Sequence, residues 1–200
     1  MLEYSIEQNL LDEGYELVCG VDEAGRGPLC GSVVTAAVIL PRGLYIEGLN
    51  DSKKLTEKKR EALFDVICES AIAYSIVEAS VEEIDATNIL EATLGAMRRA
   101  VNSLSPKADF ALIDGNIARG FDIPAKPVIH GDAISPSIAA ASILAKVTRD
   151  RKCIEWDAMY PQYKIAKHKG YGTKEHMAAL REFGPSPIHR KKFIRFLDEE

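Results

Sequence analysis

The chain is short of the residues that announce a disulfide scaffold, a zinc module or a membrane protein. Its 200 residues include only four cysteines. Cys19, Cys30, Cys68 and Cys153 stand singly, with no Cys-x-x-Cys pair and no histidine at zinc-ligand spacing. They are expected to be reduced, buried and inert, and no His/Asn or His/Asp pattern accompanies them that would suit a catalytic thiol. The longest apolar runs, Val33 to Leu40 and Ile138 to Ala145, stop far short of the ~18 residues that a membrane span requires. No membrane partner is therefore expected. Met1-Leu2-Glu3-Tyr4 lacks the basic-then-apolar order of a signal peptide, which points to the cytoplasm. Repeats, low-complexity tracts and Gly/Ser linkers are missing too. At 46% hydrophobic and 28% charged, the chain suits one main domain with a sizeable core and a small appended element.

Charge is unevenly spread. The net charge is −5, but residues 1–100 hold 9 Lys/Arg against 18 Asp/Glu (−9) and residues 101–200 hold 16 against 12 (+4). Between Lys164 and Arg195, nine Lys/Arg meet only Glu175 and Glu182, a local +7. Such a cluster suits a polyanion-facing surface, or equally a solvated helical face.

Patterning predicts alternating strands and helices. Leu17–Val21 reads as a short buried strand, and Gly31–Leu40, rich in β-branched residues, as its hairpin partner. Thr56 is placed to cap a helix to about Ser70, with Leu63, Phe64 and Ile67 inward. Ile72–Ala79 alternates as a third strand. Ser80 with Glu83 has the form of a capping box, and Asn88 repeats the logic before a helix whose stripe is Leu90, Leu94, Met97, Val101 and Leu104. Phe110–Asp114 and Pro127–Asp132 read as strands ending in an acid. Ser135-Pro136 opens a helix, Ser137 to about Trp156, apolar nearly all round at its start and so expected to pack deep against the sheet. A Thr173-capped helix to Phe183 and a last helix from about His189 complete the chain.

The most informative stretch is Asp22-Glu23-Ala24-Gly25-Arg26-Gly27-Pro28. Two carboxylates stand beside a backbone flexible enough to approach a substrate, where a strand runs out into a loop. Asp114 and Asp132 share that setting. Three such strand-end positions suit a pair of hard divalent ions, which take carboxylate oxygens and phosphate oxygens and can serve phosphodiester hydrolysis. Adjacent strand residues face opposite ways, so Asp22 and Glu23 need a twist or bulge to point together, which Gly25 and Gly27 would ease. Asp51 is read as a turn residue and Asp150 as the partner of a neighbouring arginine.

With these residues in view, the chain resembles the ribonuclease HII (type 2 ribonuclease H) family. The matching blocks are DEAGRGP (22–28), NDSKKL (50–55), LIDGN (112–116), GDAISPSIAAASILAKVTRD (131–150) and HKGYGT (168–173). The resemblance implies a ribonuclease H-like α/β fold, a mixed sheet flanked by helices with a small helical C-terminal element. Residues 1–160 would form the catalytic domain, and residues 161–200 a basic helical element packed on the substrate groove. It implies an endonuclease that cuts the RNA strand of RNA–DNA hybrids and nicks 5′ of single ribonucleotides in duplex DNA, leaving 5′-phosphate and 3′-hydroxyl ends. Asp22, Glu23, Asp114 and Asp132 would be catalytic as ligands of Mg²⁺ or Mn²⁺, two ions with substrate bound. Gly25, Arg26 and Gly27 would sense the ribonucleotide 2′-hydroxyl, Tyr171 would stack on the next deoxynucleotide sugar, and Lys53 and Lys54 would hold phosphates. Its partners would be hybrid and ribonucleotide-containing duplex, and it would act as a monomer. Two other classes stay in view: a module that binds hybrids without cutting them, and a metal phosphatase acting on small esters.

Overall fold

The computed structural model describes residues 5–197. Met1 to Tyr4, on which the expectation of no signal peptide rests, lie outside that range. Among the described residues one mixed sheet forms from β1 (Val18–Ala24), β2 (Val33–Ile39), β3 (Ala73–Ala79), β4 (Phe110–Asp114) and β5 (Ala125–Val128), in the order β3-β2-β1-β4-β5. β1 and β2 make the expected antiparallel hairpin, and β3 adds antiparallel to β2. β4 lies parallel to β1, and β5 parallel to β4. The helices are α1 (Ser5–Asp12), α2 (Glu57–Ser70), α3 (Val81–Ala86), α4 (Ile89–Asn102), α5 (Pro136–Met159), α6 (Ile165–His168) and α7 (Lys174–Phe183).

The caps read from the sequence set five of these starts. Thr56, Asn88, Ser135 and Thr173 accept backbone N–H groups at the heads of α2, α4, α5 and α7, and Ser80 and Glu83 cap α3 reciprocally. Each such cap contributes roughly 1 kcal/mol. α4 covers one face of the sheet, packing Leu94, Met97 and Val101 on Cys19, Val21 and Ile113. α5 and α2 cover the other, where Ile143, Leu144 and Ile67 meet Val34, Ala36 and Val38. With helices on both faces, β2 is buried along its whole length. A Cβ at Gly20 would overlap the backbone of Ser137 and Ile138, so this glycine is what lets α5 begin directly against β1. No helix of the described residues is long and apolar enough to cross a membrane.

Two differences from expectation have physical causes. α1 has little pattern of its own. It is held by Leu10 against Phe110 and Leu112, and by the buried Glu7, whose Oε1 accepts from Ser135 Oγ at 2.6 Å and from Ser137 N at 3.2 Å. A carboxylate there satisfies one free N–H at the head of α5 and suits its dipole. The helix expected from His189 does not form; two 3₁₀ turns, Lys191–Phe193 and Arg195–Leu197, stand in its place. The backbone before them is already committed: Gly31 N–H donates to Ile188 O at 2.8 Å and Arg190 N–H to Leu29 O at 2.9 Å, with a bridge between Cys30 and His189. The segment 160–197 packs its own cluster, Tyr163, Ile165, Leu180 and Ile194, on Cys30 and Trp156.

Candidate active site

β1 extends further than the sequence suggested. It runs to Ala24, so Asp22 and Glu23 lie within the strand, opposite Ala36 and Thr35 in unbroken register. Of the twist or bulge expected there, no bulge interrupts these pairs. Strand alternation therefore sends Asp22, like Gly20, toward α5 and Glu23, like Val21, toward α4. Both nevertheless border one cavity of about 230 Å³, because they stand at the end of the sheet where β1 stops and the chain turns at Gly25 (φ 100°). Asp114, the last residue of β4, lies one step past the final β1–β4 pair, Val21 with Ile113, and so beside Asp22. It lines the same cavity, with Gly25, Arg26, Gly27, Lys53 and Tyr171.

Asp132 is placed differently from expectation. β5 ends at Val128, and Asp132 sits in a 3₁₀ turn (Gly131–Ala133) entered through His130 in the left-handed conformation (φ 55°). It is buried, its N–H donates to Asp114 Oδ1 at 3.4 Å, and Lys53 Nζ lies 3.3 Å from its Oδ2. The turn thus hangs Asp132 behind Asp114, although it does not line the cavity. Lys54 lies outside as well, with its amine 4.0 Å from Asp51. Asp51 caps the turn at Ser52–Lys54 through Lys53 N–H at 2.9 Å. Asp150 is ion-paired as expected, but with Lys146 (2.6 Å) and Arg60 (3.5 Å), not with a sequence neighbour.

The acids repel one another. Burial, then the charges of Glu23 and Asp114, push the Asp22 carboxyl well above the usual carboxylate range. Glu23 is raised by burial, against the pull of Arg26 Nη1 at 3.4 Å, with Asp114 adding to the rise. Asp114 is raised by burial and by Asp132. Lys53 answers this field: burial lowers its amine, but Asp132 and Asp22 outweigh that and raise it. Clustered carboxylate oxygens whose mutual repulsion is only partly answered by Arg26 and Lys53 fit a hard divalent cation such as Mg²⁺ or Mn²⁺.

On the substrate side, Tyr171 is half exposed, and a Cβ at Gly27 would lie 3.2 Å from its ring. It is therefore no core tyrosine. Sequence reasoning passed over Ser142, Lys146 and Arg149, which also line the cavity. Their i, i+4, i+7 spacing on an otherwise apolar helix is the signal that marks them. The basic cluster is thinner than its charge count: Lys164 and Lys167 share Glu175, and Arg190 is fully buried. The four cysteines are free thiols; Cys19, Cys30 and Cys153 are buried, and Cys68 is only partly so. Burial pushes the Cys19 and Cys30 thiols up to about 12.

Comparison with known proteins bears on the family and the fold. The family described as Ribonuclease HII matches residues 19–196. A ribonuclease HII of Ruminiclostridium cellulolyticum is 53% identical over 191 residues, 96% of this chain and 75% of that relative. Among solved structures, the ribonuclease H2 of Pyrococcus horikoshii is similar with a TM-score of 0.76 and 28% identity, over 92% of this chain and 98% of that one. Bst-RNase HIII in complex with Mn²⁺ shares the fold at a TM-score of 0.63 and 17% identity, over 91% of this chain and 64% of that one.

Proposed function

The chain belongs to the ribonuclease HII family and is thereby an endoribonuclease that hydrolyses the RNA strand of RNA–DNA hybrids; from that premise we propose that it also nicks duplex DNA on the 5′ side of a single embedded ribonucleotide, leaving 5′-phosphate and 3′-hydroxyl ends. The observation that carries this reading is the single cavity bordered by Asp22, Glu23 and Asp114 and by Gly25, Gly27 and Tyr171. Groups suited to cutting and groups suited to reading a sugar share one wall.

Asp22, Glu23, Asp114 and Asp132 would hold the divalent ions, Mg²⁺ or Mn²⁺, two of them with substrate in place. When bound, these ions supply an activated water and stabilise the charge on the leaving oxygen. The residues of the chain bind and orient. Main-chain groups of Gly25, Arg26 and Gly27 meet the 2′-hydroxyl, the group that separates RNA from DNA at a given position. Tyr171 packs its exposed ring on the sugar of the following deoxynucleotide. Lys53, whose amine reaches both the acids and the cavity, holds a backbone phosphate, with Lys54 further along the strand. Residues 1–160 form the catalytic body, and the basic segment 161–200 closes one side of the groove. The protein would act as a monomer in the cytoplasm, a compartment that its free thiols suit.

The test is incubation of the purified protein with Mg²⁺ or Mn²⁺ and a DNA duplex holding one ribonucleotide. A nick 5′ of the ribonucleotide is expected. Cleavage confined to continuous hybrids would overturn the extension to single ribonucleotides.

A further inference from the structure

The groups proposed to read the substrate lie on two loops far apart in sequence, 25–31 and 168–173, and one dipeptide near the C-terminus binds both. The Arg190 guanidinium, fully buried, donates to Gly25 O (2.6 Å), Arg26 O (3.0 Å), Pro28 O (2.8 Å) and Gly31 O (2.8 Å). Few side chains could serve four carbonyls of one loop; the planar five-donor fork of arginine does. Burial, then the charge of Arg149, lowers its pKa to about 10. Arg149 grips the same region from α5, through Cys30 O at 3.3 Å and Lys169 O at 3.0 Å.

His189 holds the other loop through a relay whose protons the partners dictate. Tyr171 O can only accept, so His176 Nδ1, 3.0 Å away, carries a proton and its Nε2 is bare. That bare nitrogen lies 3.0 Å from His189 Nε2, which must donate to it. His189 Nδ1 in turn accepts the Ser186 N–H at 3.0 Å. His168 stacks on His176 with centroids 4.5 Å apart and accepts Gly170 N–H at 3.2 Å. Leu29 N–H donates to Gly170 O at 2.8 Å and ties the two loops directly.

Cys30, His176 and His189 also place three metal-type ligand atoms within 4.8 Å of one another. The proton inventory speaks against a metal there. His189 Nε2 would have to lose its proton while Nδ1 still accepts a backbone N–H, which would leave the ring as an imidazolate anion. The cluster is complete as a hydrogen-bonded relay.

We propose that His189 and Arg190 are positioning residues for ribonucleotide recognition. Arg190 fixes the Gly25–Gly31 loop, and His189, acting through His176, fixes Tyr171, so that one dipeptide sets the spacing between the two reading elements. The proposal rests on the reading of those elements given above. It explains why the tail forgoes a helix at 188–190 and pairs instead with residues 29–31.

The experiment compares kcat/KM on a duplex with one ribonucleotide followed by DNA against kcat/KM on a continuous RNA–DNA hybrid. His189→Leu removes the relay at similar volume; His189→Gln keeps an amide N–H for His176. The junction ratio is expected to fall on the order of tenfold or more in His189→Leu, as misplacement of a positioning group does, and to recover in His189→Gln. Tyr171→Ala should lower the ratio in the native background and lower it far less in His189→Leu. Arg190→Met should lower it as well; should that variant fail to fold, the His189 pair carries the test alone. Equal ratios in His189→Leu and the native protein, with Tyr171→Ala impaired, overturn the proposal while leaving the reading of Tyr171 intact. A native ratio in Tyr171→Ala overturns that reading and the proposal with it.

Discussion

Replacing Asp22 by Asn should stabilise the metal-free protein while removing its response to metal. Asp22 is 4% exposed and bears the like charges of Glu23 and Asp114. At an effective dielectric constant of about 20, a like charge about 6 Å away costs roughly 3 kcal/mol. The charges of Arg26 and Lys53 already offset part of that repulsion, so the net gain should be about 1–2 kcal/mol, in the range of other stabilising changes at strained functional sites. The Asn Oδ1 still accepts the Glu23 N–H that Asp22 accepts at 2.7 Å, so little is lost in return. For a chain of this size each kcal/mol moves Tm by about 2–4 °C. Thermal unfolding followed by circular dichroism, in chelator and then in Mg²⁺ or Mn²⁺, reads both effects. In chelator the variant should melt higher. Metal at about 100 times its Kd should add roughly 2.7 kcal/mol to the native protein and much less to the variant, reversing the order. A variant that melts lower than the native protein in chelator would refute the reasoning and make Asp22 a structural residue.

Gly25→Ala should be damaging on two counts. A φ of 100° is strained for any residue with a Cβ, costing about 1–3 kcal/mol, and that Cβ would overlap Arg149 Nε; a lower Tm and a larger loss on the one-ribonucleotide duplex than on continuous hybrid should be measured. Lys53→Ala should weaken substrate binding more than Lys54→Ala, since only Lys53 lines the cavity; fluorescence anisotropy at two salt concentrations checks this, and equal effects would count against the placement. Acid should destabilise the fold through the histidine relay. Burial, with the charge of His176, lowers His189 from 6.5 to about 4, so its stabilising contribution is complete above pH 6.5 and is lost as pH falls toward 4, by about 3 kcal/mol in all. In His189→Gln that part of the pH dependence of Tm should vanish.

Local signals carried much of this architecture. Caps at Thr56, Ser80, Asn88, Ser135 and Thr173 marked the helix starts because capping is chemistry between residues two or three apart. The β1–β2 hairpin was legible from two apolar runs. What escaped depends on contacts between distant segments. α1 is held by Glu7 meeting Ser135, and the tail at 188–190 is extended because residues 29–31 claim its backbone. β1 runs past the end that its sequence suggests, because a carboxylate pair reads as a loop, whereas pairing with β2 carries the strand through both acids. The three cavity-lining acids stood out as charges after apolar runs, and Asp132 did so for a partly wrong reason, since it sits in a turn beyond its strand. Ser142, Lys146 and Arg149 were hidden inside a helix that reads as core, and Arg190 inside a basic run that reads as surface.

In the proposed site one cavity joins a carboxylate metal site to a reader of sugar identity. The most direct test is the cleavage pattern of a DNA duplex holding one ribonucleotide, beside the same duplex in all-deoxy form, with Mg²⁺ or Mn²⁺ present. A single nick on the 5′ side of the ribonucleotide is expected, with no cut in the all-deoxy control and no cut by Asp22→Asn or Asp114→Asn although both still bind the duplex. No cleavage by the native protein, or cleavage of both duplexes alike, would contradict that reading.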